Sequence, residues 1–413
     1  MCDGNRRLQV MWTLAGLFLF LGWAGVVYGA EGPAAPTDLR CEYLSNPMGI
    51  DVQTPRFSWV LHHTERAQME TAFQVFVASS DDGLGREAGD IWDSGKVDSS
   101  ESTQVVYAGK PLSSGKTYCW KVRYWDAAGN ASPYSRSAVF ETGLLARDEW
   151  KGQWIEGNLL RKEIALEGRI VRARAYVTAL GYYELRINGE KVGRNILDPA
   201  FTTYPKRVLY STYDVTRRLQ SGRNAVGVML GGGWATLGRR FFDPEVGPYY
   251  KAPALLLQVN IELEGGKTVS VVSDGSWKAT QGPVVSDSVY DGEVYDARRE
   301  APGWDHPGFD DSTWSAAQTT EGSKGILSAQ MMPPIRVVDS MAPRSISSPR
   351  PGVFVFDMGQ NMSGWVELRV QGPAGTPVTL RFAELVYPDG MINRENLGAA
   401  KSRDIYTLKG EGL

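Results

Sequence analysis

Hydrophobic and polar residues alternate along most of this chain, with the period of two that is typical of strands with one buried face. Around Tyr182–Ile187 the alternation is regular, and Asn188-Gly189 then supplies the positive φ angles of a two-residue hairpin turn. Further runs with strand character are Ala173–Thr178, Ala225–Leu230, Leu255–Leu263 and Val269–Ser273. No series of amphipathic helices follows residue 30. The pattern predicts an all-β protein made of three consecutive antiparallel β-sandwiches.

The first sandwich is predicted over residues 35–143, from short strands separated by turn-forming clusters. Leu112, Gly115 and Tyr118 precede an alternating strand, and a tyrosine in this position forms a tyrosine corner by bonding back to the backbone. This part resembles a fibronectin type III domain, which implies a spacer role. A larger sandwich is expected over residues 150–325, and a third unit over 331–413.

The first 30 residues have the composition of a signal peptide. Arg6 and Arg7 precede an uncharged apolar run from Val10 to Val27, and small residues surround Gly29. The run is also long enough for an uncleaved membrane anchor, whereas no later segment approaches the ~20 apolar residues of a membrane span. We therefore expect a secreted or periplasmic protein, either free or tethered at its N-terminus.

Composition narrows the range of partners. The formal net charge of −3 gives no reason to expect nucleic acid or an anionic membrane surface as a partner.

Cys41 and Cys119 are the two cysteines outside the leader. In an oxidising compartment they form either a disulfide or two free buried thiols, and the sequence does not decide between these states.

Several separate motifs occur in an order that resembles the N-terminal half of bacterial α-L-rhamnosidases. They are NPMGIDVQTPRFSW (46–59), WDSGKV (92–97), LGYYELRINGEKVG (180–193), SDSVYDGEVYDAR (286–298), GWDHPGFDDSTW (303–314) and FDMGQNMSGWVELRV (356–370). The resemblance implies that the three sandwiches are a fibronectin-like domain, a jelly-roll carbohydrate-binding-like domain and a concanavalin-like domain, the last one truncated. We expect its missing strand to leave an open edge beside Thr379–Phe382 or Asp404–Leu408.

The family carries its catalytic carboxylates on an (α/α)6 barrel, and no stretch of this sequence predicts the dozen helices of such a barrel. No catalytic residue is therefore carried over from the resemblance. We expect the accessory, sugar-binding or structural portion of a secreted α-L-rhamnosidase, with L-rhamnose-containing glycans and a separate catalytic chain as partners. The alternatives are a stand-alone, lectin-like rhamnose-binding protein and a structural spacer.

A loop at residues 231–250 is the best candidate for sugar binding. Its Trp234, Asp243 and Tyr249 combine aromatic faces, which suit the C–H groups of a sugar ring, with polar groups for hydroxyls. The resemblance also implies a calcium ion bound by an Asp-Asn pair, a polar side chain and a proline carbonyl. Matching by position gives Arg194-Asn195, Asp243 and Pro248, and Arg194 weakens this prediction because it replaces an acidic ligand with a cation. The predicted substrate-binding residues are Asn195, Trp234, Asp243 and Tyr249, and the predicted metal ligands are Asn195, Asp243 and Pro248.

Other chemistry has weaker support in the sequence. The acidic candidates for a glycosidase pair are Asp310-Asp311 and Asp291, Glu293 and Asp296. They lie in polar turns, where acidic residues are expected to accept hydrogen bonds in the turns and at the ends of strands. The three histidines, His62, His63 and His306, lack the spacing of zinc ligands or of a catalytic triad.

Overall fold

The computed structural model describes residues 32–85, 89–237 and 248–411. The fold is almost entirely β, with 43% strand and 5% helix, so the all-β prediction is confirmed. Within the described residues, no helix is long and apolar enough to cross a membrane. The leader and Asp243 lie outside the described residues.

The first domain is a two-sheet sandwich. Its strands and single short helix are β1 (Pro33–Cys41), β2 (Met48–Ile50), β3 (Arg56–His63), β4 (Ala72–Ala78), α1 (Asp81–Gly85), β5 (Trp92–Asp93), β6 (Val97–Asp98), β7 (Val105–Val106), β8 (Thr117–Trp125) and β9 (Ala138–Thr142). One sheet has the order β1-β3-β7 and the other β2-β9-β8-β4-β5, with β6 beside β4. The hydroxyl of Tyr118 accepts a hydrogen bond from the Ser113 N–H at 2.8 Å, which is the predicted tyrosine corner. Cys41 and Cys119 are free and buried.

The second domain is a larger sandwich that follows a 3₁₀ turn at Arg147–Glu149. Its strands are β10 (Trp154–Glu156), β11 (Leu159–Leu166), β12 (Ile170–Leu180), β13 (Tyr182–Ile187), β14 (Glu190–Lys191), β15 (Arg207–Asp214), β16 (Gly222–Gly231), β17 (Ala254–Leu263), β18 (Thr268–Val272), β19 (Lys278–Thr280), β20 (Val284–Ser288), β21 (Gly292–Asp296), β22 (Ser315–Ala316), β23 (Gln318–Thr320) and β24 (Ile326–Ala329). Further 3₁₀ turns lie at Thr216–Arg218, Glu264–Gly266 and Ala297–Arg299. The two facing sheets have the orders β23-β10-β17-β12-β15-β24, with β18 beside β17, and β14-β13-β16-β11-β19-β22. The core between them contains the fully buried Trp277.

The predicted hairpin of the second domain forms as expected. Asn188 and Gly189 adopt φ angles of 51° and 85°, and β13 pairs with β14 across them. Asparagine and glycine are the residues that take these left-handed angles at least cost, so the turn fixes the register of the two strands.

The third domain has the strands β25 (Ser345–Arg350), β26 (Val353–Asp357), β27 (Pro377–Arg381), β28 (Leu385–Val386), β29 (Ile392–Asn393) and β30 (Arg403–Thr407), with a 3₁₀ turn at Glu395–Leu397. The hairpin β20–β21 joins β27 and β30 in one sheet, with the order β20-β21-β30-β27. Strand β30 therefore has neighbours on both sides, whereas β27 pairs only with β30 among the described residues, so of the two expected positions the open edge lies beside Thr379–Phe382 and not beside Asp404–Leu408. The ring of Tyr295 stacks on that of Tyr406 with centroids 5.2 Å apart, which packs β21 against β30.

The third domain buries little apolar surface. Among its described residues, Leu408 is the one buried hydrophobic side chain. Large apolar side chains are exposed instead, including Phe354 at 63% and Trp365 at 55%. Since burial of apolar area is the main source of stability, we expect this part to be less stable than the two sandwiches before it.

Candidate functional site

The turn that follows β16 presents Trp234 at the surface of the second domain. The Gly232 N–H donates a hydrogen bond to Asp287 Oδ1 at 2.7 Å, which ties this turn to β20. Gly233 adopts a φ of 51°, and a Cβ at this position would lie 3.0 Å from the ring of Tyr182. Glycine is therefore needed at position 233, because a larger residue would crowd the Tyr182 ring and would adopt this φ angle only at a cost.

Trp234 is the centre of a group of aromatic rings. Its centroid lies 5.4 Å from that of Phe201 and 5.7 Å from that of Tyr290, and the latter contact is edge-to-face. Phe201 is 52% exposed, and Trp234 and Tyr290 are partly exposed. We call Phe201, Trp234 and Tyr290 the aromatic surface. Its rings offer the apolar faces to which the C–H groups of a sugar ring can bind.

Buried tyrosines support the aromatic surface from below. Tyr204 is fully buried and lies edge-to-face with Tyr249 at 5.4 Å and with Phe201 at 5.8 Å. Burial, followed by the negative charge of Asp287, raises the pKa of Tyr182 to about 12, and the neighbouring Trp234 indole opposes this shift. The hydroxyl is therefore neutral at physiological pH.

Asn195 belongs to a different network, centred on the buried carboxylate of Asp198. The amide Nδ2 of Asn195 donates to Asp198 Oδ2 at 2.7 Å, and its Oδ1 accepts from Arg336 Nε at 3.1 Å. Asp198 also accepts hydrogen bonds from the hydroxyls of Ser211 at 2.9 Å and Tyr213 at 3.1 Å. These donors compensate the buried charge of Asp198, so this network holds the segment that leads to Phe201.

The described residues of the predicted calcium set do not fit a calcium ion. The Asn195 oxygen that would ligate the metal accepts a hydrogen bond from a guanidinium group, and Arg194 beside it is a second cation. Across residues 32–85, 89–237 and 248–411, no three His, Cys, Asp or Glu side chains are close enough to hold a metal ion. Pro248 is described, whereas Asp243 is not.

The structure brings two of the predicted contact residues together. Trp234 and Tyr249 pack against the same apolar cluster. Phe201 and Tyr290 were not predicted, and neither was Asp198. The motif SDSVYDGEVYDAR contains Tyr290, but its sequence gives no sign that the ring contacts Trp234.

Four of the five acidic candidates have partners for their carboxylates: Asp310 accepts from the Ser312 N–H at 3.0 Å, Asp311 pairs with the buried Arg161, Asp291 pairs with Lys401 at 3.0 Å, and Asp296 pairs with Arg298 at 2.8 Å. For Glu293, burial raises the pKa, and the negative charges of Asp404 and Asp287 add to the shift. The hydrogen bond from Arg298 is the main cause that lowers the pKa of Asp296 to about 2. These contacts agree with the expected roles in turns and at strand ends.

Three family models match successive parts of the chain. They are the Rha78A-like N-terminal immunoglobulin domain over residues 36–146, the alpha-L-rhamnosidase N-terminal domain over 168–339 and the bacterial alpha-L-rhamnosidase concanavalin-like domain over 347–413. The three matches follow one another without overlap, in the order of the predicted sandwiches.

Solved structures and a curated relative give the same result. The α-L-rhamnosidase of Dictyoglumus thermophilum is 41% identical with a TM-score of 0.86, and the match covers 92% of this chain and 44% of that one. For the Streptomyces avermitilis α-L-rhamnosidase complexed with L-rhamnose, the identity is 30%, the TM-score 0.87 and the coverage 92% and 54%. An α-L-rhamnosidase of Formosa agariphila is 36% identical, over 90% of this chain and 42% of its own. The chain thus spans about half the length of the curated relatives it matches.

Proposed function

Because this chain belongs to the α-L-rhamnosidase family and matches the N-terminal part of its members, we propose that it is the sugar-binding and positioning portion of such an enzyme. In this proposal the aromatic surface binds a terminal L-rhamnose of a glycan. The observation that carries it is the partly exposed group of Phe201, Trp234 and Tyr290, held in place by a buried support.

The chemistry of the site suits a deoxy sugar. Rhamnose carries a methyl group and C–H faces that pack on aromatic rings, where Trp and Tyr offer large apolar area at low entropic cost. Trp234 is proposed to contact the ring, with Tyr249 behind it and Asp243 on the same loop. The proposed role of Asn195 is indirect. Its amide donates a hydrogen bond to Asp198, and this bond helps to hold the segment from Asp198 to Phe201 in place.

Calorimetric titration of the folded chain with L-rhamnose tests this function. We expect weak binding that is lost in Trp234→Ala and retained in Trp365→Ala, a matched control in the third domain that is 55% exposed. Titrations with and without added calcium should give the same heat, because the side-chain oxygen of Asn195 already accepts a hydrogen bond from the Arg336 guanidinium. Absence of heat in both conditions would end the binding proposal.

A second function, positioning by the first domain, rests on a specific contact. Glu141 of the first domain accepts hydrogen bonds from Arg174 of the second at 2.7 and 3.0 Å. Asp51 accepts from the Ala329 N–H at 2.7 Å at another point of the same interface. These buried bonds hold the two domains in one orientation, as a rigid spacer would require. Hydrogen exchange of the Ala329 amide should be slow and should accelerate in Asp51→Ala.

We propose export to the periplasm or the medium on the basis of residues 1–30. The basic start and apolar run of this segment are the features that direct secretion. N-terminal sequencing of the expressed protein is the test: a new N-terminus near residue 30 supports cleavage and release, and an intact Met1 in the membrane fraction supports a tether. Recovery of uncleaved protein from the cytosol would contradict export.

We also propose that hydrolysis depends on polypeptide other than residues 32–411, in the same or a separate chain. Within this range, Asp291, Asp296 and Asp311 are held in ion pairs and Asp310 in a turn. Purified chain should therefore leave an aryl α-L-rhamnoside intact. Turnover that disappears on replacing Asp291 or Asp311 would overturn this part of the proposal.

A further inference from the structure

A cavity with a strongly basic lining opens in the third domain. Its volume is about 310 Å³, and it lies between the end of β27 and the start of β30. It is lined by Arg381, Arg394, Gly398, Ala400, Lys401 and Arg403. Four of these six residues are cationic and none is acidic, so the cavity concentrates positive charge in a small volume.

Of the four cations that line the cavity, Lys401 alone has an ion-pair partner among the described residues. Arg381 and Arg403 lie directly opposite each other on β27 and β30, where like charges are destabilising. Arg394 Nε is buried and has no hydrogen-bond partner in the part of the chain that the structure describes. A buried donor in this state carries a desolvation cost that a ligand with acceptor oxygens would remove.

Asp291 is the single carboxylate that pairs with this lining in the described part of the chain. It accepts hydrogen bonds from the Nζ and the backbone N–H of Lys401, at 3.0 and 3.2 Å. The bond from Lys401 Nζ is the main cause that holds the pKa of Asp291 below its usual value, and the charge of Arg403 adds to it. The four cations of the lining therefore share one ion-paired carboxylate in the described part of the chain.

The cavity adjoins the aromatic surface at one turn. Tyr290, whose ring meets Trp234, directly precedes Asp291 in the chain. The Tyr290 carbonyl accepts from the Ser402 N–H at 2.9 Å, and the Asp291 carbonyl accepts from the Arg403 N–H at 3.1 Å. This turn therefore links the aromatic surface to the strand that carries part of the basic lining.

We propose that the cavity binds the carboxylate of an acidic sugar, a uronate, in a glycan whose rhamnose lies on the aromatic surface. This inference rests on the proposed function of the aromatic surface. Guanidinium groups pair with carboxylates through two parallel hydrogen bonds, which makes arginine the preferred residue for this recognition. The cavity volume is at the lower end of the ~300–1,000 Å³ of small-ligand sites, which suits one sugar unit.

Galacturonate and galactose form a matched pair of probes, because they differ in carrying a carboxylate or a CH₂OH group at C6. We expect the full chain to bind galacturonate but not galactose in an NMR titration, with weaker binding at higher salt. Arg394→Gln should weaken galacturonate binding about tenfold, because it removes a charge-assisted hydrogen bond to the carboxylate. Arg381→Gln, which changes an exposed side chain, is the second variant if Arg394→Gln does not fold.

Arg369→Gln is the control for general charge, because Arg369 is exposed in the same domain and faces Glu367. It should bind galacturonate like the wild type. Equal affinity for the two sugars, or galacturonate binding that neither cavity variant weakens, would overturn the inference. So would binding of poly-L-glutamate without binding of galacturonate, which would assign the cavity to an acidic polypeptide.

The two proposals can fail separately. L-Rhamnose binding that depends on Trp234, with no galacturonate binding, would retain the proposed function and reject the basic cavity as a uronate site. Galacturonate binding that depends on Arg394, with no rhamnose binding, would retain the basic cavity as a uronate site and reject the proposed function of the aromatic surface.

Discussion

Glu141 and Arg174 join the first two domains through a bidentate ion pair, with Arg174 Nε and Nη2 at 2.7 and 3.0 Å from the two carboxylate oxygens. Both residues are buried. Arg172 approaches the same carboxylate at 2.8 Å, and Asp214 pairs with Arg174 at 2.9 Å. The interface is thus a charged network from which water is largely excluded.

Glu141→Ala should destabilise the chain strongly, because it leaves the buried guanidinium of Arg174 without its main partner. Removal of one member of a buried pair costs roughly 3–5 kcal/mol. Glu264→Ala is the matched control, since its pair with Arg169 is exposed on both sides and exposed pairs contribute about 0–1 kcal/mol. Urea unfolding measures both variants. Equal losses in the two would contradict a structural role for the interface.

Glu70 should give the first domain a distinctive pH dependence. Its side chain is buried, Trp59 Nε1 donates to Oε2 at 2.9 Å, and Oε1 has no hydrogen-bond partner among the described residues. Burial raises the pKa of Glu70 to about 7, although the bond from Trp59 opposes this shift. In the unfolded chain the value is about 4.3. Between these two pH values the folded state binds more protons, so stability falls as pH rises through 7.

The measurement is the free energy of unfolding from pH 4.5 to 8 for the wild type and Glu70→Gln. The wild type should lose stability over this range relative to the variant, because glutamine has no proton to release. Parallel curves for the two proteins would show that the Glu70 carboxyl is not protonated in the fold.

Limited proteolysis should start between the second and third domains. Residues 331–344 form no strand, and Val338 is 96% exposed. Thermolysin cleaves before apolar residues, so we expect early cleavage near Val338 and a resistant fragment that contains the first two domains. Uniform resistance through the third domain in a monomer would contradict its expected low stability.

Local features of the fold could be predicted from the sequence, because they depend on neighbouring residues. The alternation around Tyr182–Ile187 and the turn at Asn188-Gly189 are examples, and so is the corner at Tyr118. The pairing of β21 with β30 could not be predicted. It joins Val294 to Ile405, and contacts across such a separation in the chain depend on how the whole domain packs.

Only part of the candidate site could be predicted, because some of its contacts join residues that are distant in the sequence. Trp234 and Tyr249 share one loop, so composition alone indicated an aromatic site. Phe201 and Tyr290 reach Trp234 from other parts of the chain. The sequence alone does not indicate that the side-chain oxygen of Asn195 accepts a hydrogen bond from Arg336, because the two residues are 141 positions apart in the chain.

A crystal structure of the chain soaked with L-rhamnose tests the central claim most directly. We predict a sugar ring whose C–H face lies about 4 Å from the Trp234 indole, at the carbon–carbon contact distance of packed apolar groups, and no such ring in crystals of Trp234→Ala. Rhamnose bound elsewhere on the second domain, with the face of Trp234 left open, would contradict the account.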